Sequence, residues 1–313
     1  MCVSDARIVC GGTGFANSLR QELHGQGRTL YNRHSKYAVV DARETRLPEP
    51  ERRSLPSDLY TEEYFRTACE GYDEFNQSDG DQLSRRLEAA FALAAVTPGM
   101  NVLDVGCGRG EILRHCARLG ADACGIDYAT AAVHMSLAVA EKTDQLQGTI
   151  AVCQADAKHL PFPNGTFDRV LMFDVVEHLY PWELHRAMRE VHRVLKPDGR
   201  FIVHTAPNAW YDRYAYPVVR VVRRLMGQRD RYPANPREFM VRVNAHVHVN
   251  EQSMLSLRRA LHQAGFKARV WLDSPPQDWN SEALGQVRRF LFHTPPFRWL
   301  FEREVFAVAV KKS

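Results

Sequence analysis

The sequence lacks any long apolar run, and its first residues lack a basic stretch followed by an apolar one. A membrane-spanning helix needs about 20 consecutive apolar residues, so we expect no span, no secretion signal, a cytoplasmic location and no membrane partner. Paired cysteines are also missing, because the seven cysteines are an odd number and none forms a Cys-x-x-Cys motif. This pattern argues against a cysteine zinc site and against a disulfide framework.

A strong excess of one charge is missing as well. The net charge is +4 at pH 7, which is too mild to indicate a nucleic-acid partner by itself. The chain is 45% hydrophobic and 25% charged, as is usual for a globular protein with a full core. Its 313 residues suit one large domain with an attached cap.

Strands alternate with helices through most of the chain. The predicted strands are Tyr37–Val40, Asn101–Val105, Ala121–Ile126, Thr149–Gln154, Phe167–Phe173, Gly199–His204, Lys267–Leu272 and Val305–Val310. The predicted helices include Tyr60–Cys69, Gln82–Ala95, Glu111–Leu119, Thr130–Glu141, Pro181–Leu195 and Gln252–Ala264. This alternation predicts an α/β, doubly wound sheet. We divide the chain into an N-terminal extension and cap (1–80) and a main domain (81–313), with 207–250 as a lid insertion after the fifth strand of that domain.

A glycine loop follows the strand Asn101–Val105. Its glycines are Gly106, Gly108 and Gly110, with Cys107 between the first two and Asp104 just before them. Glycines let the backbone turn sharply and approach a ligand. The carboxylate of Asp104 would repel a pyrophosphate but suits a ligand that carries an ammonium group.

Two further acids follow the next two strands. Asp127, followed by Tyr128, ends a strand where a carboxylate can accept both hydroxyls of a ribose. Asp156, followed by Ala157, is placed to accept an adenine amino group. Together with the glycine loop, these acids predict a nucleoside-containing ligand with a cationic part.

These motifs, together with Asp174 and the turn Leu195–Gly199, resemble those of class I S-adenosylmethionine-dependent methyltransferases. The resemblance covers residues 80–206 and, more loosely, 250–313. It implies a seven-stranded Rossmann-like sheet with an antiparallel last strand, and S-adenosylmethionine as the cofactor. It also implies that loop 106–110 holds the amino-acid part of the cofactor, with Asp127 on the ribose, Asp156 on the adenine and Asp174 close by.

An acid–histidine cluster follows the strand Phe167–Phe173. Asp174, Glu177 and His178 lie there among apolar residues. Glu177 or His178 is a candidate general base. A divalent metal held by all three is an alternative, since ubiquinone-biosynthesis O-methyltransferases and small-RNA 3′-end methyltransferases have a similar metal-binding arrangement. In the third interpretation the three residues are structural; our assignment includes no protein-bound metal.

The insertion 207–250 is rich in arginine. It has eight arginines, three acids and no lysine, a balance of 8 − 3 = +5. The candidate substrate-binding residues are Trp210, Tyr214, Arg220, Arg223, Arg224, His246 and His248. Guanidinium groups match phosphate oxygens. The alternative is an ordinary amphipathic surface helix around Arg223. The two histidines are expected on one side of a strand, facing either the pocket or solvent.

The expected function is methyl transfer to a small, anionic molecule, in its sharper form C-methylation of an isoprenoid diphosphate such as isopentenyl diphosphate. In that case Mg²⁺ arrives with the substrate. The aromatic residues Tyr60, Tyr64, Tyr72 and Phe75 are expected to close over the cofactor. O-methylation of a sugar, phenol or polyketide is the alternative, followed by RNA methylation and a non-catalytic cofactor-binding subunit. A homodimer is also compatible with the sequence.

Overall fold

The computed structural model of the chain describes residues 7–11, 54–69, 71–142, 146–228, 232–236, 244–273 and 285–312. The predicted strand Tyr37–Val40 lies outside these residues. Eight strands form one sheet in the part described. They are β1 (Arg7–Gly11), β2 (Asn101–Val105), β3 (Asp122–Asp127), β4 (Ile150–Gln154), β5 (Phe167–Phe173), β6 (Leu195–Thr205), β7 (Phe266–Asp273) and β8 (Glu304–Lys311).

The order of strands across the sheet is β1-β4-β3-β2-β5-β6-β8-β7. Strands β2 to β6 pair in parallel, and β8 runs antiparallel to both β6 and β7. The prediction of a doubly wound, seven-stranded sheet with an antiparallel last strand is confirmed. Strand β1 is an additional eighth strand, which pairs antiparallel with β4 and was not predicted.

Helices cover the sheet and form a cap and an insertion beside it. They are α1 (Glu62–Thr67), α2 (Tyr72–Ser78), α3 (Arg85–Ala92), α4 (Glu111–Arg118), α5 (Thr130–Lys142), α6 (Pro181–Val194), α7 (Tyr216–Leu225), α8 (Asn244–Val247), α9 (Met254–Gln263), α10 (Gly285–His293) and α11 (Phe297–Phe301). Side-chain caps explain two of their starts, since Ser84 accepts from Leu87 N and Thr61 accepts from Tyr64 N. None of the helices in the ranges described has the length and apolar character to cross a bilayer.

The core lies on both faces of the parallel strands. Alternate residues of β2 divide between the two faces, with Leu103 and Val105 in one buried cluster and Val102 in the other. Strand β6 begins four residues earlier than predicted, so Leu195–Gly199 belongs to that strand instead of forming a separate turn. The carboxyl ends of β2, β3 and β5 meet where the strand order reverses, which is where such sheets bind ligands.

Candidate active site

The glycine loop turns tightly between β2 and α4. Gly106 and Gly110 have φ values of +77° and +88°. A Cβ on Gly106 would lie 2.4 Å from Val175 Cγ2, and one on Gly110 would lie 2.8 Å from Ser136 Cα. The backbone N–H groups of Gly106 and Cys107 both donate to Ile126 O, at 2.7 and 2.9 Å. The loop is therefore held against the end of β3 with no space for side chains at the two glycines.

Two buried carboxylates flank this loop. Burial and the nearby charge of Glu111 raise the pKa of Asp104 to about 8. Burial also raises the pKa of Asp127 to about 6, although Asp127 accepts hydrogen bonds from Ala129 N at 2.9 Å and Gly108 N at 3.2 Å. Buried carboxylates are stabilised by a positively charged ligand. The residues present therefore fit S-adenosylmethionine, which carries an ammonium and a sulfonium group.

Asp156 is held by a lysine two residues further along the chain. Its carboxylate accepts from Lys158 N at 2.9 Å and lies 3.0 Å from Lys158 Nζ. The same ammonium group donates to Glu183 at 2.7 Å. The predicted adenine contacts of Asp156 and Ala157 remain predictions, and this ion pair fixes the orientation of the Asp156 carboxylate.

The N-terminal cap is fastened to the glycine loop by Arg109. One guanidinium nitrogen of Arg109 donates to Phe65 O at 2.9 Å, and another lies 2.6 Å from Glu111. Its charge also lies 5.0 Å from the centre of the Phe75 ring. Tyr64, Phe65 and Phe75 are buried, whereas Tyr72 is exposed. The loop and the cap thus form one packed unit in which Tyr72 takes no part.

Tyr60 of the cap contacts both Tyr128, after β3, and His178, after β5. Its ring makes edge contacts with Tyr128, at 6.1 Å between centroids, and with His178, at 5.6 Å. The Tyr60 hydroxyl lies 3.3 Å from His178 Nδ1. Burial and the nearby Tyr128 raise the pKa of Tyr60 above its usual value, so the phenol stays protonated. Sequence reasoning placed Tyr60 only in the cap, because nothing in the pattern relates it to a residue 118 positions away.

The acid–histidine cluster divides into two parts in the structure. Asp174 pairs with Arg86 at 3.1 Å and with His204 at 2.8 Å. Glu177 and His178 continue into a short 3-10 turn, where they meet His248. The predicted trio of Asp174, Glu177 and His178 is therefore not a single ligand set. Both carboxylate oxygens of Asp174 have protein partners, and its proximity to the cofactor remains a prediction.

Glu177 is buried with a hydroxyl donor beside it. Burial and the charge of Asp174 raise the pKa of Glu177 to about 8. Thr205 Oγ1 donates to its carboxylate at 2.7 Å, and the Glu177 backbone carbonyl accepts from Val249 N and Asn250 N. A carboxylate with this pKa can accept a proton near neutral pH.

His178 is a neutral imidazole at physiological pH. Burial lowers its pKa to about 4, although the charge of Asp174 and the Val247 carbonyl oppose that shift. Its Nδ1 lies 3.1 Å from Val247 O, so this nitrogen carries the proton and Nε2 presents a lone pair. The ring contacts His248 edge-on, at 4.9 Å between centroids.

Glu177, His178 and His248 each offer one ligand atom, and these atoms lie within 4.8 Å of one another. One carboxylate and two imidazoles make a common set for zinc or non-haem iron. The cluster can thus act in proton transfer or hold a divalent ion. His248 was predicted as a substrate contact, and its place beside His178 is set by folding across 70 residues of chain.

The insertion is helical where a strand of histidines was predicted. Residues 244–247 form α8, so His246 is exposed while His248 turns inward. The strand prediction was wrong because Val247 is buried between them and directs its carbonyl to His178. Because the buried Val247 lies at the end of a helical turn, the side chains of His246 and His248 on either side of it point in different directions.

The predicted arginines lie along α7, away from this cluster in their described contacts. Arg220 donates to Tyr232 O at 3.3 Å, and Arg223 donates to Gln228 at 3.1 Å while lying over the Tyr232 ring. Arg224 is exposed. Nearby, Trp210 is half-buried and Tyr214 is exposed beneath the Arg213 guanidinium. The substrate-binding roles of these residues remain predictions.

Comparison with known proteins finds similarity to methyltransferases. Residues 103–203 match the family described as a methyltransferase domain. The chain is 31% identical over 162 residues to the demethylmenaquinone methyltransferase of Symbiobacterium thermophilum, covering 50% of this chain and 61% of that protein. It is 30% identical over 163 residues to the ubiquinone/menaquinone biosynthesis C-methyltransferase UbiE of Ralstonia nicotianae, covering 50% of this chain and 66% of that protein. The chain thus spans less than two thirds of the length of these curated relatives.

Solved structures share the fold at low identity. A Haemonchus contortus phosphoethanolamine N-methyltransferase with S-adenosylhomocysteine bound has a TM-score of 0.52 at 16% identity, covering 88% of this chain and 64% of that one. A Streptomyces coelicolor geranyl diphosphate C-methyltransferase has a TM-score of 0.50 at 18% identity, covering 72% of this chain and 79% of that one. These similarities establish the fold only. The methyl acceptor has to be inferred from the residues of the site.

Proposed function

Because the chain carries a domain of the class I S-adenosylmethionine-dependent methyltransferases, we propose that it transfers a methyl group to a small-molecule acceptor. The cofactor of these enzymes is S-adenosylmethionine, which supplies an electrophilic methyl group when bound. The glycine loop and Asp127 hold it, and the buried Asp104 favours its positive charge. Catalysis then consists mainly of orienting the acceptor and excluding water.

The main support for this proposal is Glu177, which we assign as the general base. Its carboxylate is buried, lies at the carboxyl edge of the sheet and has a pKa of about 8. It is joined to the cofactor side through His178 and Tyr60, which contacts Tyr128. A base in this position removes the proton that an acceptor loses when it gains a methyl group. His178, with its Nε2 lone pair, orients the acceptor through a hydrogen bond.

The finer proposal is C-methylation of an isoprenoid acceptor. Two relatives that cover half of this chain are named for C-methylation or quinone biosynthesis, and another is named a sterol 24-C-methyltransferase from Gibberella zeae. Carbon acceptors release a C–H proton after or during methylation, and that step needs a base such as Glu177. The arginine-rich composition of the insertion favours an anionic form, such as isopentenyl diphosphate, that brings its own Mg²⁺. In the structure Arg220 and Arg223 contact the insertion itself, so a role with phosphate requires them to exchange these contacts for the substrate.

O-methylation of a phenol, sugar or polyketide is the second candidate, because the same base would serve a hydroxyl acceptor. Tritiated-methyl transfer distinguishes the candidates when isopentenyl and geranyl diphosphate are compared with a prenylated phenol and a sugar. Each acceptor is assayed with Mg²⁺ and with EDTA. We expect label in an isoprenoid diphosphate with Mg²⁺ and loss of label in Arg223→Gln. Label that enters only the neutral acceptors contradicts the diphosphate proposal, and no label with any acceptor contradicts small-molecule transfer.

The same assay separates a base from a metal site at Glu177. If the base role holds, EDTA leaves transfer to any neutral acceptor unchanged. Loss of that transfer with EDTA, and its recovery with Mn²⁺ or Zn²⁺, instead assigns Glu177, His178 and His248 to a bound ion.

A further inference from the structure

Helix α7 presents its apolar stripe to solvent. Val218, Val221, Val222 and Leu225 recur at positions i, i+3, i+4 and i+7, and their exposed fractions run from 43% to 84%. A stripe with this spacing normally packs against the core. Here the helix is turned the other way, which leaves a continuous apolar face uncovered by the described residues.

The opposite side of α7 explains this orientation. Arg220 and Arg223 are half-buried and make their contacts with the loop around Tyr232. The arginine side therefore anchors the helix to the protein, and the valine side is left exposed. Arg224 lies at the border between the two sides and is exposed.

Two further helices, α10 and α11, also have exposed apolar side chains. Val287 and Phe290 of α10 and Phe297 and Trp299 of α11 have exposed fractions between 39% and 54%. Helix α11 is tied to the turn that leads into α7, because Asn208 Nδ2 donates to the Trp299 carbonyl at 3.0 Å. Helix α11 is thus linked to the start of α7, and all three helices have exposed apolar side chains.

The charge of these helices indicates which kind of partner binds their exposed apolar side chains. The sequences of α7, α10 and α11 contain no aspartate or glutamate. Their exposed arginines in the described residues are Arg224 of α7 and Arg289 of α10. Exposed valine, leucine, phenylalanine and tryptophan next to arginines are typical of segments that lie in a bilayer interface. An anionic bilayer offers both an apolar layer for the side chains and phosphates for the guanidinium groups, and each basic residue near such a surface contributes about 1 kcal/mol.

We propose that α7, α10 and α11 dock this protein on the surface of an anionic lipid bilayer without crossing it. The expectation of no membrane partner depended on the lack of a spanning segment, and surface docking is a different mode of contact that this proposal sets against it. The inference depends on exposure and charge alone. It is tested by binding, so its outcome is independent of which acceptor is methylated.

The experiment is flotation of the full chain with vesicles of phosphatidylcholine alone, or with about a third of that lipid replaced by phosphatidylglycerol. We expect binding to the anionic vesicles only, and weaker binding as salt rises. Leu225→Ser should lower the partition coefficient about tenfold, and Arg224→Gln should lower it about fivefold. Controls lie on α9, where Leu255→Ser and Arg258→Gln change residues that are also exposed but lie outside these three helices.

Three results would overturn the inference. The first is the absence of flotation with anionic vesicles, and the second is equal losses in the α7 and α9 variants. The third is a dimer in sedimentation velocity that Leu225→Ser dissociates, since this assigns the apolar face to a second copy of the chain. Unchanged thermal unfolding of Leu225→Ser, expected for an exposed position, confirms that the variant is folded.

Discussion

Asp174 Oδ1 lies 2.8 Å from His204 Nδ1, at the point where β5 turns toward Glu177. Asp174 has a φ of +54°, which is uncommon for a residue other than glycine. Arg86 holds the other carboxylate oxygen at 3.1 Å, and Glu304 lies 3.5 Å from His204 Nε2. This ion network keeps Asp174 in an unfavourable backbone conformation, and that conformation sets the direction of the turn carrying Glu177.

The network makes stability depend on pH. Burial alone would lower the pKa of His204, but the charge and hydrogen bond of Asp174 raise it from 6.5 to about 9. Because the pKa of His204 is higher in the folded state, its protonated form stabilises the fold fully below pH 6.5. That stabilisation is lost as the pH rises through 9. We expect the free energy of unfolding to fall by roughly 3 kcal/mol between pH 6 and pH 10. Urea unfolding across this range measures it. Asp104 and Glu177, whose pKa values are raised to about 8, add to the fall below pH 8. The His204→Gln variant should therefore have a shallower slope, and an unchanged slope would exclude His204 as a contributor.

The pH dependence of turnover should report Glu177. Burial raises its pKa to about 8, and only the ionised form accepts a proton. We expect kcat/KM to rise with pH to a plateau above about 8, and Glu177→Gln to lower it about 100- to 10,000-fold. Thr205→Val removes the donor that stabilises the carboxylate, so the midpoint should move to higher pH. A midpoint unaffected by Thr205→Val would show that another group titrates. Cofactor binding by calorimetry, unchanged in both variants, is the control.

Gly106 should tolerate alanine much less well than Gly99 does. The two glycines have nearly equal φ values, +77° and +79°, so alanine brings the same backbone strain of about 1 to 2 kcal/mol to each. At Gly106 a Cβ also meets Val175 at 2.4 Å, whereas at Gly99 nothing lies within 4 Å. We expect Gly106→Ala to cost about 2 kcal/mol more in unfolding free energy. Adding Val175→Ala to Gly106→Ala should recover part of the loss. Equal costs at the two glycines would contradict the close packing.

Arg109 should couple the cap to cofactor binding. Arg109→Ala leaves Glu111 buried without its partner and removes the hydrogen bond to the Phe65 carbonyl. We expect a loss of about 3 kcal/mol in stability, faster amide exchange in α1 and weaker binding of S-adenosylhomocysteine. Arg118→Ala, which breaks the exposed pair with Asp81, is the matched control and should cost less than about 1 kcal/mol. Unchanged amide exchange in α1 would show that Arg109 does not couple the cap to the glycine loop.

The sequence predicted the parallel strands well because each is a short apolar run bounded by glycine or acid. The bounds of β2 and β5 are those predicted, and α3 is shorter than predicted because Ser84 caps it at its start. The pairing of His248 with His178 could not be predicted, since it depends on the path of the insertion. The stripe on α7 was visible in the periodicity. Periodicity identifies a face but does not say whether that face meets the core or the solvent.

Strand β1 bears on how the protein avoids aggregation. Without it, the apolar β4 would be the outermost strand of the sheet, with a row of unpaired N–H and C=O groups open to another chain. Strand β1 thus seals an edge whose partner strand comes much later in the chain, beginning at Ile150. The nascent chain must therefore keep β1 available until β4 has been synthesised, and a variant that lacks β1 would expose β4 to intermolecular pairing.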